Sequence, residues 1–134
     1  MKLTKSTDFA LRTLIYLADC NGLTTLSTLS SRLDVPYNNL TKIVQKLAKS
    51  QIVQTEKGKY GGIRLLKPVE DITLREIIEL IDGPTRLSEC QDNPKNCGLS
   101  CQCKLKGVFG DLQSQINQLF DSVKLKDVVY KDVV

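Results

Sequence analysis

Three stretches of helically spaced apolar residues, followed by two short strand-like runs, constrain the fold of this chain more than any other feature. The two runs enclose a seven-residue tip that holds three glycines, as expected for a β-hairpin. Three helices followed by a two-stranded hairpin is the order of a winged helix-turn-helix, whose second paired helix enters the major groove of DNA. We predict helices at 4–19, about 26–33 and about 36–50, and strands at 52–55 and 63–66.

The second half of the chain adds a capped helix, a polar loop and a long helix. Thr73 and Glu76 have the spacing of a capping box and predict a helix over 73–81. A polar, cysteine-bearing loop follows at 85–103. Apolar residues then recur at alternating intervals of four and three, as in a helix that packs against another helix of the same chain or of a partner. This seam consists of Leu105, Phe109, Leu112, Ile116, Leu119 and Val123.

The predicted fold class is therefore mainly α, with a winged helix-turn-helix, a two-stranded β wing and a long C-terminal helix. Its predicted parts are a DNA-binding region at 1–83, a cysteine-bearing loop at 84–104, the long helix at 105–124 and a tail at 125–134.

The placement of charge favours nucleic acid more than the net charge of +4 does. From Lys42 to Lys67 there are seven basic residues and one acidic residue, and a solvated basic face is the ordinary alternative. Together with the helix and hairpin order, this stretch predicts double-stranded DNA as a partner. Asn and Gln suit adenine edges, whereas Lys suits phosphate or guanine. The residues predicted to contact DNA are Tyr37, Asn38, Asn39, Thr41, Lys42, Gln45 and Lys46 on the second helix, and Lys57, Gly58, Lys59 and Tyr60 in the wing.

The sequence argues against a membrane protein and against an enzyme. No apolar run approaches the roughly 18 residues of a membrane span, and the first residues lack the apolar stretch of a signal peptide. We therefore expect a cytoplasmic protein without a membrane partner. The chain has no histidine, which removes the commonest general base, and we find no nucleophile–base pair or phosphate loop.

Four of the five cysteines fall within fourteen residues. A disulfide framework is disfavoured in the cytoplasm, so their clustering points to metal or redox chemistry. Structural zinc sites use paired Cys-x2–4-Cys motifs, and only the pair Cys97 and Cys101 has such an interval. A loop with spaced thiolates can surround an iron–sulfur cluster. Zinc, a redox dithiol and free thiols remain alternatives. Cys20, at the end of an apolar helix, is predicted to be a packed core thiol.

Three stretches together resemble one family of regulators. They are the opening MKLTKSTDFALR at 1–12, the wing GKYGGIRL at 58–65 and the loop with its continuation at 89–107. They resemble the Rrf2 family of winged-helix regulators, which includes NsrR-like nitric oxide sensors and IscR-like regulators of cluster assembly. The resemblance extends from residue 1 to about residue 123. It implies that the long C-terminal helix is a dimerisation helix and that the protein is a homodimer.

The resemblance also implies a ligand set for an iron–sulfur cluster, with 4Fe–4S favoured and 2Fe–2S as the alternative. Cys90, Cys97 and Cys103 occupy the places of the three cysteine ligands. Cys101 is additional to the family pattern and is an alternative ligand. IscR-like members use a histidine, which this chain lacks. NsrR-like members use an aspartate from the first helix of the other subunit, and Asp8 stands at that place; a role in favouring the helix dipole is the alternative.

The leading interpretation is therefore a dimeric, DNA-binding repressor that senses nitric oxide through an iron–sulfur cluster. A regulator that senses redox state or cluster supply is the second interpretation. A zinc- or disulfide-stabilised scaffold for protein partners is the third.

Overall fold

The computed structural model describes residues 2–20, 22–88, 91, 98 and 103–130. Three helices, two strands and two further helices follow one another there in the order expected from the sequence, which confirms the mainly α fold with a two-stranded wing. In this part of the chain the helices are α1 (Lys5–Cys20), α2 (Leu26–Leu33), α3 (Tyr37–Lys49), α4 (Leu74–Asp82) and α5 (Lys104–Ser122), and the strands are β1 (Val53–Glu56) and β2 (Gly62–Leu65). Short 3-10 turns lie at Val69–Asp71 and Leu125–Asp127.

The start and end of α2, and the start of α3, follow from local chemistry. The hydroxyl of Thr25 accepts a hydrogen bond from the Thr28 amide at 3.1 Å and so caps α2. Asp34 ends α2 in the left-handed conformation, with φ at 53°. Pro36 lies at the N-cap of α3. No helical hydrogen bond is lost there, because a helix leaves its first amide groups unpaired in any case.

Helix α1 is the centre of the core and packs against α2, α3, α4 and β2. Leu14 and Leu17 of α1, together with Leu40 and Leu47 of α3, are at most 1% exposed. Burial of each such leucine contributes about 1.5–3 kcal/mol. The apolar stripe of α3 is thereby fixed against α1, and its polar face is turned outward.

The wing is an antiparallel pair in which Val53 faces Leu65 and Glu56 faces Gly62. Each strand is shifted by one residue from its predicted bounds. Ile63 also exchanges two backbone hydrogen bonds with Thr24, at 2.7 and 2.9 Å. A Cβ atom on Gly62 would lie 2.6 Å from the Thr24 carbonyl oxygen, so only glycine allows this approach.

Helix α4 keeps one half of its predicted capping box. The Thr73 hydroxyl accepts a hydrogen bond from the Glu76 amide at 3.1 Å, as predicted. The reciprocal half is wrong, because the Glu76 carboxylate pairs with Lys67 at 2.8 Å instead. Both bonds of a carboxylate are charge-assisted, but the ammonium group adds the attraction of a full positive charge.

The residues after α5 return to the core. The Leu125 amide donates to the Ile72 carbonyl at 2.8 Å, and the Leu74 amide donates to the Val123 carbonyl at 2.8 Å. Leu125 is buried, so the chain just beyond α5 fixes the end of that helix beside α4. Among the described helices, none is long and apolar enough to cross a membrane.

Candidate DNA-binding surface and metal centre

The polar face of α3 lies opposite the core. Leu40, Ile43, Val44 and Leu47 are buried, and the residues between them therefore point away from the protein. Thr41 is half-buried, and its hydroxyl donates to the Tyr37 carbonyl at 2.9 Å. The other predicted contact residues of this helix are exposed, namely Tyr37, Asn38, Asn39, Lys42, Gln45 and Lys46.

The tip of the wing is fully accessible. Tyr60 is 85% exposed, and the Lys59 ammonium lies 5.8 Å from the centre of its ring. Lys57 and Gly58 are exposed as well. The turn depends on Gly58, whose φ of 105° is rarely adopted by other residues, and its carbonyl accepts from the Gly61 amide at 3.0 Å.

A cleft of about 620 Å³ lies between α3 and the wing. Tyr37, Thr41 and Gln45 line one side, and Lys57 and Gly58 line the other. The structure thus brings five of the predicted residues, from both α3 and the wing, to one concave surface, whereas Asn39, Lys42 and Lys46 line a separate depression beside Ile81.

The same cleft includes residues at the start of α2 that the sequence analysis omitted. Thr25, Leu26 and Ser27 line it. The available signal was the capping role of Thr25, because the first amides of a helix are suited to phosphate oxygens.

Two of the seven basic residues from Lys42 to Lys67 pair with acidic side chains of the same chain. Arg64 bonds to the Gln54 side chain and lies 3.8 Å from the Glu56 carboxylate, and Lys67 is paired with Glu76. The remaining lysines of the stretch form no ion pair with any described residue, and they are Lys42, Lys46, Lys49, Lys57 and Lys59. Five positive charges therefore remain for a polyanionic partner.

Two of the predicted cluster ligands lie in the described part of the chain, and Cys90, Cys97 and Cys101 lie outside it. Cys103 is a free, half-buried thiol at the N-cap of α5, and its side chain makes no capping bond. A helix N-terminus favours a negative group such as a thiolate.

Asp8 lies in the first turn of α1 and is exposed. Its carboxylate pairs with Arg12 at 2.7 Å, and both side chains are about half exposed. Such pairs contribute only about 0.3–0.5 kcal/mol, so the carboxylate is readily given up to another partner. Among the described residues of one chain, no three potential metal ligands come together. A free thiol and a weakly held carboxylate are donors that fit iron.

The prediction for Cys20 is wrong, because this thiol is exposed at the last residue of α1. The core-facing stripe of α1 ends at Leu17. A hydrogen bond with Cys20 raises the pKa of Tyr16 above its ordinary value.

Helix α5 leaves much of its apolar seam in solvent. Leu105, Leu112 and Leu119 are exposed, and Val108, which the sequence analysis left out, is exposed beside them. Phe109, Ile116 and Val123 are half-buried.

Comparison with known proteins decides the family. The Rrf2 family profile, described as an iron-dependent transcriptional regulator, matches residues 3–131. A relative from Shouchella clausii, named HTH-type transcriptional regulator NsrR, is 34% identical over 98% of this chain and 91% of its own length. The chain belongs to the Rrf2 family. A second protein of the same name, from Bacillus licheniformis, is 36% identical to this Rrf2 chain over 96% of it and 92% of the relative.

A solved structure of a putative transcriptional regulator from Listeria innocua matches the fold of this Rrf2 chain with a TM-score of 0.81. The two are 20% identical, and the match covers 100% of this chain and 90% of the other. Rrf2 proteins are DNA-binding transcriptional regulators. This chain is accordingly a transcriptional regulator and not an enzyme.

Proposed function

We propose that this Rrf2 protein is a cytoplasmic homodimer that represses transcription, and that an iron–sulfur cluster sensitive to nitric oxide controls its affinity for the operator. The cleft between α3 and the wing carries the DNA-binding part of this proposal. The cleft itself contains Gln45 and Lys57, and the exposed surface of α3 and of the wing tip around it adds Asn38, Asn39 and four further lysines that form no ion pair with any described residue. The relatives named NsrR and the place of Asp8 support the sensing part.

The proposed ligands are Cys90, Cys97 and Cys103 of one subunit and Asp8 of the other, with Cys101 as the alternative to Asp8. A 4Fe–4S cluster is favoured and 2Fe–2S is the alternative. When bound, the cluster would supply an iron with a weakly held position that accepts a small diatomic molecule. Asp8 creates that position, because a hard carboxylate is a weaker partner for cluster iron than a thiolate.

Asp8 also connects the metal site to DNA through α1. Ala10 and Leu14 of α1 are buried, and α1 packs against α3. A bond from Asp8 to the cluster in the loop of the other subunit therefore constrains the position of α3 in both subunits. When that bond is broken, the spacing of the two recognition helices changes, and with it the affinity for an operator with two half-sites.

DNA binding is tested by measuring affinity for a duplex selected by this protein from random-sequence DNA, as a function of salt. Each phosphate neutralised adds about −0.9 to the slope of log K against log salt. Lys42→Ala on α3 and Lys59→Ala in the wing should weaken binding and reduce the slope, whereas Lys126→Ala is the matched control, because Lys126 is exposed and lies in the 3-10 turn after α5 rather than on α3 or the wing. A flat salt response, or equal affinity for all variants, would contradict the proposed surface.

The metal centre is tested by anaerobic purification, iron and sulfide analysis, and titration with nitric oxide followed by absorption. Cys103→Ser should abolish the cluster, and Cys20→Ser is the control that keeps it. Asp8→Ala should leave a cluster that is less stable and reacts differently with nitric oxide. Bound zinc, or no metal in the unmodified protein, would replace the sensing proposal by the scaffold interpretation. A cluster indifferent to nitric oxide would favour redox or cluster supply as the signal.

A further inference from the structure

A buried amide lies on the inner face of α5. Gln113 is only 6% exposed and is the single buried residue of this helix. Its Oε1 accepts from the Leu87 amide at 2.9 Å, and its Nε2 donates to the Thr85 hydroxyl at 3.1 Å and to Asn117 Oδ1 at 3.0 Å. Burying an amide side chain costs free energy unless its oxygen and nitrogen form hydrogen bonds. Gln113 therefore favours the one placement of residues 85–87 on α5 in which its side chain is paired.

A second glutamine, Gln91, binds the same stretch. Gln91 Oε1 accepts from the Leu87 amide at 3.1 Å and from the Ser88 amide at 3.4 Å. Its Nε2 donates to the Phe109 carbonyl of α5 at 3.1 Å. Gln91 and Gln113 therefore share the Leu87 amide, and both fasten the chain after α4 to α5.

We propose that Gln113 and Gln91 are positioning residues that hold residues 85–88 and 91 on α5 before any metal binds. The proposal rests on the proposed iron–sulfur function, because its consequence concerns the ligands. Gln91 follows Cys90 in the sequence, and Cys103 is the N-cap of α5. A chain fastened to α5 beside one ligand has less conformational freedom to lose when the ligands gather around a cluster.

Gln113→Leu separates the hydrogen bonds from the packing, because leucine has a similar volume and no polar atoms. Gln113→Glu keeps an acceptor for the Leu87 amide. Gln115→Leu is the matched control, since Gln115 is an exposed glutamine of the same helix. Gln91→Ala removes the hydrogen bonds of the second glutamine, which is not one of the buried residues. This variant tests the proposal if Gln113→Leu does not fold.

The first measurement is amide hydrogen exchange in the metal-free, reduced protein, which does not depend on a cluster. The Leu87 amide should be protected in the unmodified protein and in Gln115→Leu. It should exchange at least about fivefold faster in Gln113→Leu, with protection largely restored in Gln113→Glu. The Ser88 amide should exchange faster in Gln91→Ala. Equal exchange rates in all variants would overturn the proposal that Gln113 and Gln91 hold this stretch on α5.

The second measurement is the rate at which an iron chelator removes the cluster from anaerobic protein. Under conditions in which every variant is fully folded, Gln113→Leu and Gln91→Ala should lose the cluster several-fold faster than Gln115→Leu. An unmodified protein without iron and sulfide would refute the proposed function and leave the exchange result standing. A cluster that is lost at the same rate in every variant, despite faster Leu87 exchange, would overturn the positioning role and leave the proposed function intact.

Discussion

Replacing Leu112 by Asp is expected to dissociate the proposed homodimer through the seam of α5. Leu105, Leu112 and Leu119 are 53%, 43% and 65% exposed in the single chain, so a large part of each side chain is free to be covered by a second copy. Burial of a whole leucine contributes about 1.5–3 kcal/mol. The exposed share of Leu112 therefore accounts for roughly 1 kcal/mol per subunit.

A two-fold interface contains Leu112 twice, so the substitution removes about 2 kcal/mol of burial from each dimer. Each carboxylate also loses water without gaining a partner, which costs at least about another 1 kcal/mol per subunit. The total of about 4 kcal/mol corresponds to a roughly thousandfold weaker dimer.

Sedimentation velocity over a wide concentration range measures this change. Ser114→Asp is the matched control, because Ser114 is exposed and lies about 200° around the helix from Leu112. Circular dichroism should show an unchanged helix content for both variants, since neither residue belongs to the buried core. A Leu112→Asp protein as dimeric as the Ser114→Asp protein would show that the seam does not form the dimer.

Three further predictions concern stability. Gly61→Ala should lower the free energy of unfolding by about 1–3 kcal/mol in urea, because the new Cβ would lie 2.1 Å from the Glu56 carbonyl oxygen; an unchanged midpoint would contradict this. Thr73→Ala should cost about 1 kcal/mol by removing the cap of α4, and Thr73→Ser should restore most of it. Burial raises the pKa of Asp82, but hydrogen bonds, first of all from Thr4, together with the positive charge of Lys46 outweigh it and hold the pKa below its ordinary 3.8. The ionised carboxylate therefore stabilises the folded protein fully above about pH 3.8, and this contribution is lost as the pH falls through the lowered pKa. Asp82→Asn should be less stable than the unmodified protein at neutral pH and should match it in strong acid.

The outward face of α3 could be predicted because helical periodicity is a local property. Once Leu40, Ile43 and Leu47 face the core, Lys42 and Gln45 must face away from it. The wing could be predicted for a similar reason, since its glycines indicate a tight turn between two apolar runs. Its strand bounds shifted by one residue, because the bridge between Thr24 and Ile63 takes part in fixing the register.

The amino-acid sequence by itself therefore determined the order of the elements, the polar face of the recognition helix and the candidate ligands. The tertiary structure alone decided which of these groups have partners. In the structure Arg64 and Lys67 pair with carboxylates and so add less to the basic surface, and Cys20 is exposed. The tertiary structure also placed Gln113 against Leu87, twenty-six positions away in the chain. Such pairings depend on where one helix lies relative to another, and no local periodicity carries that information.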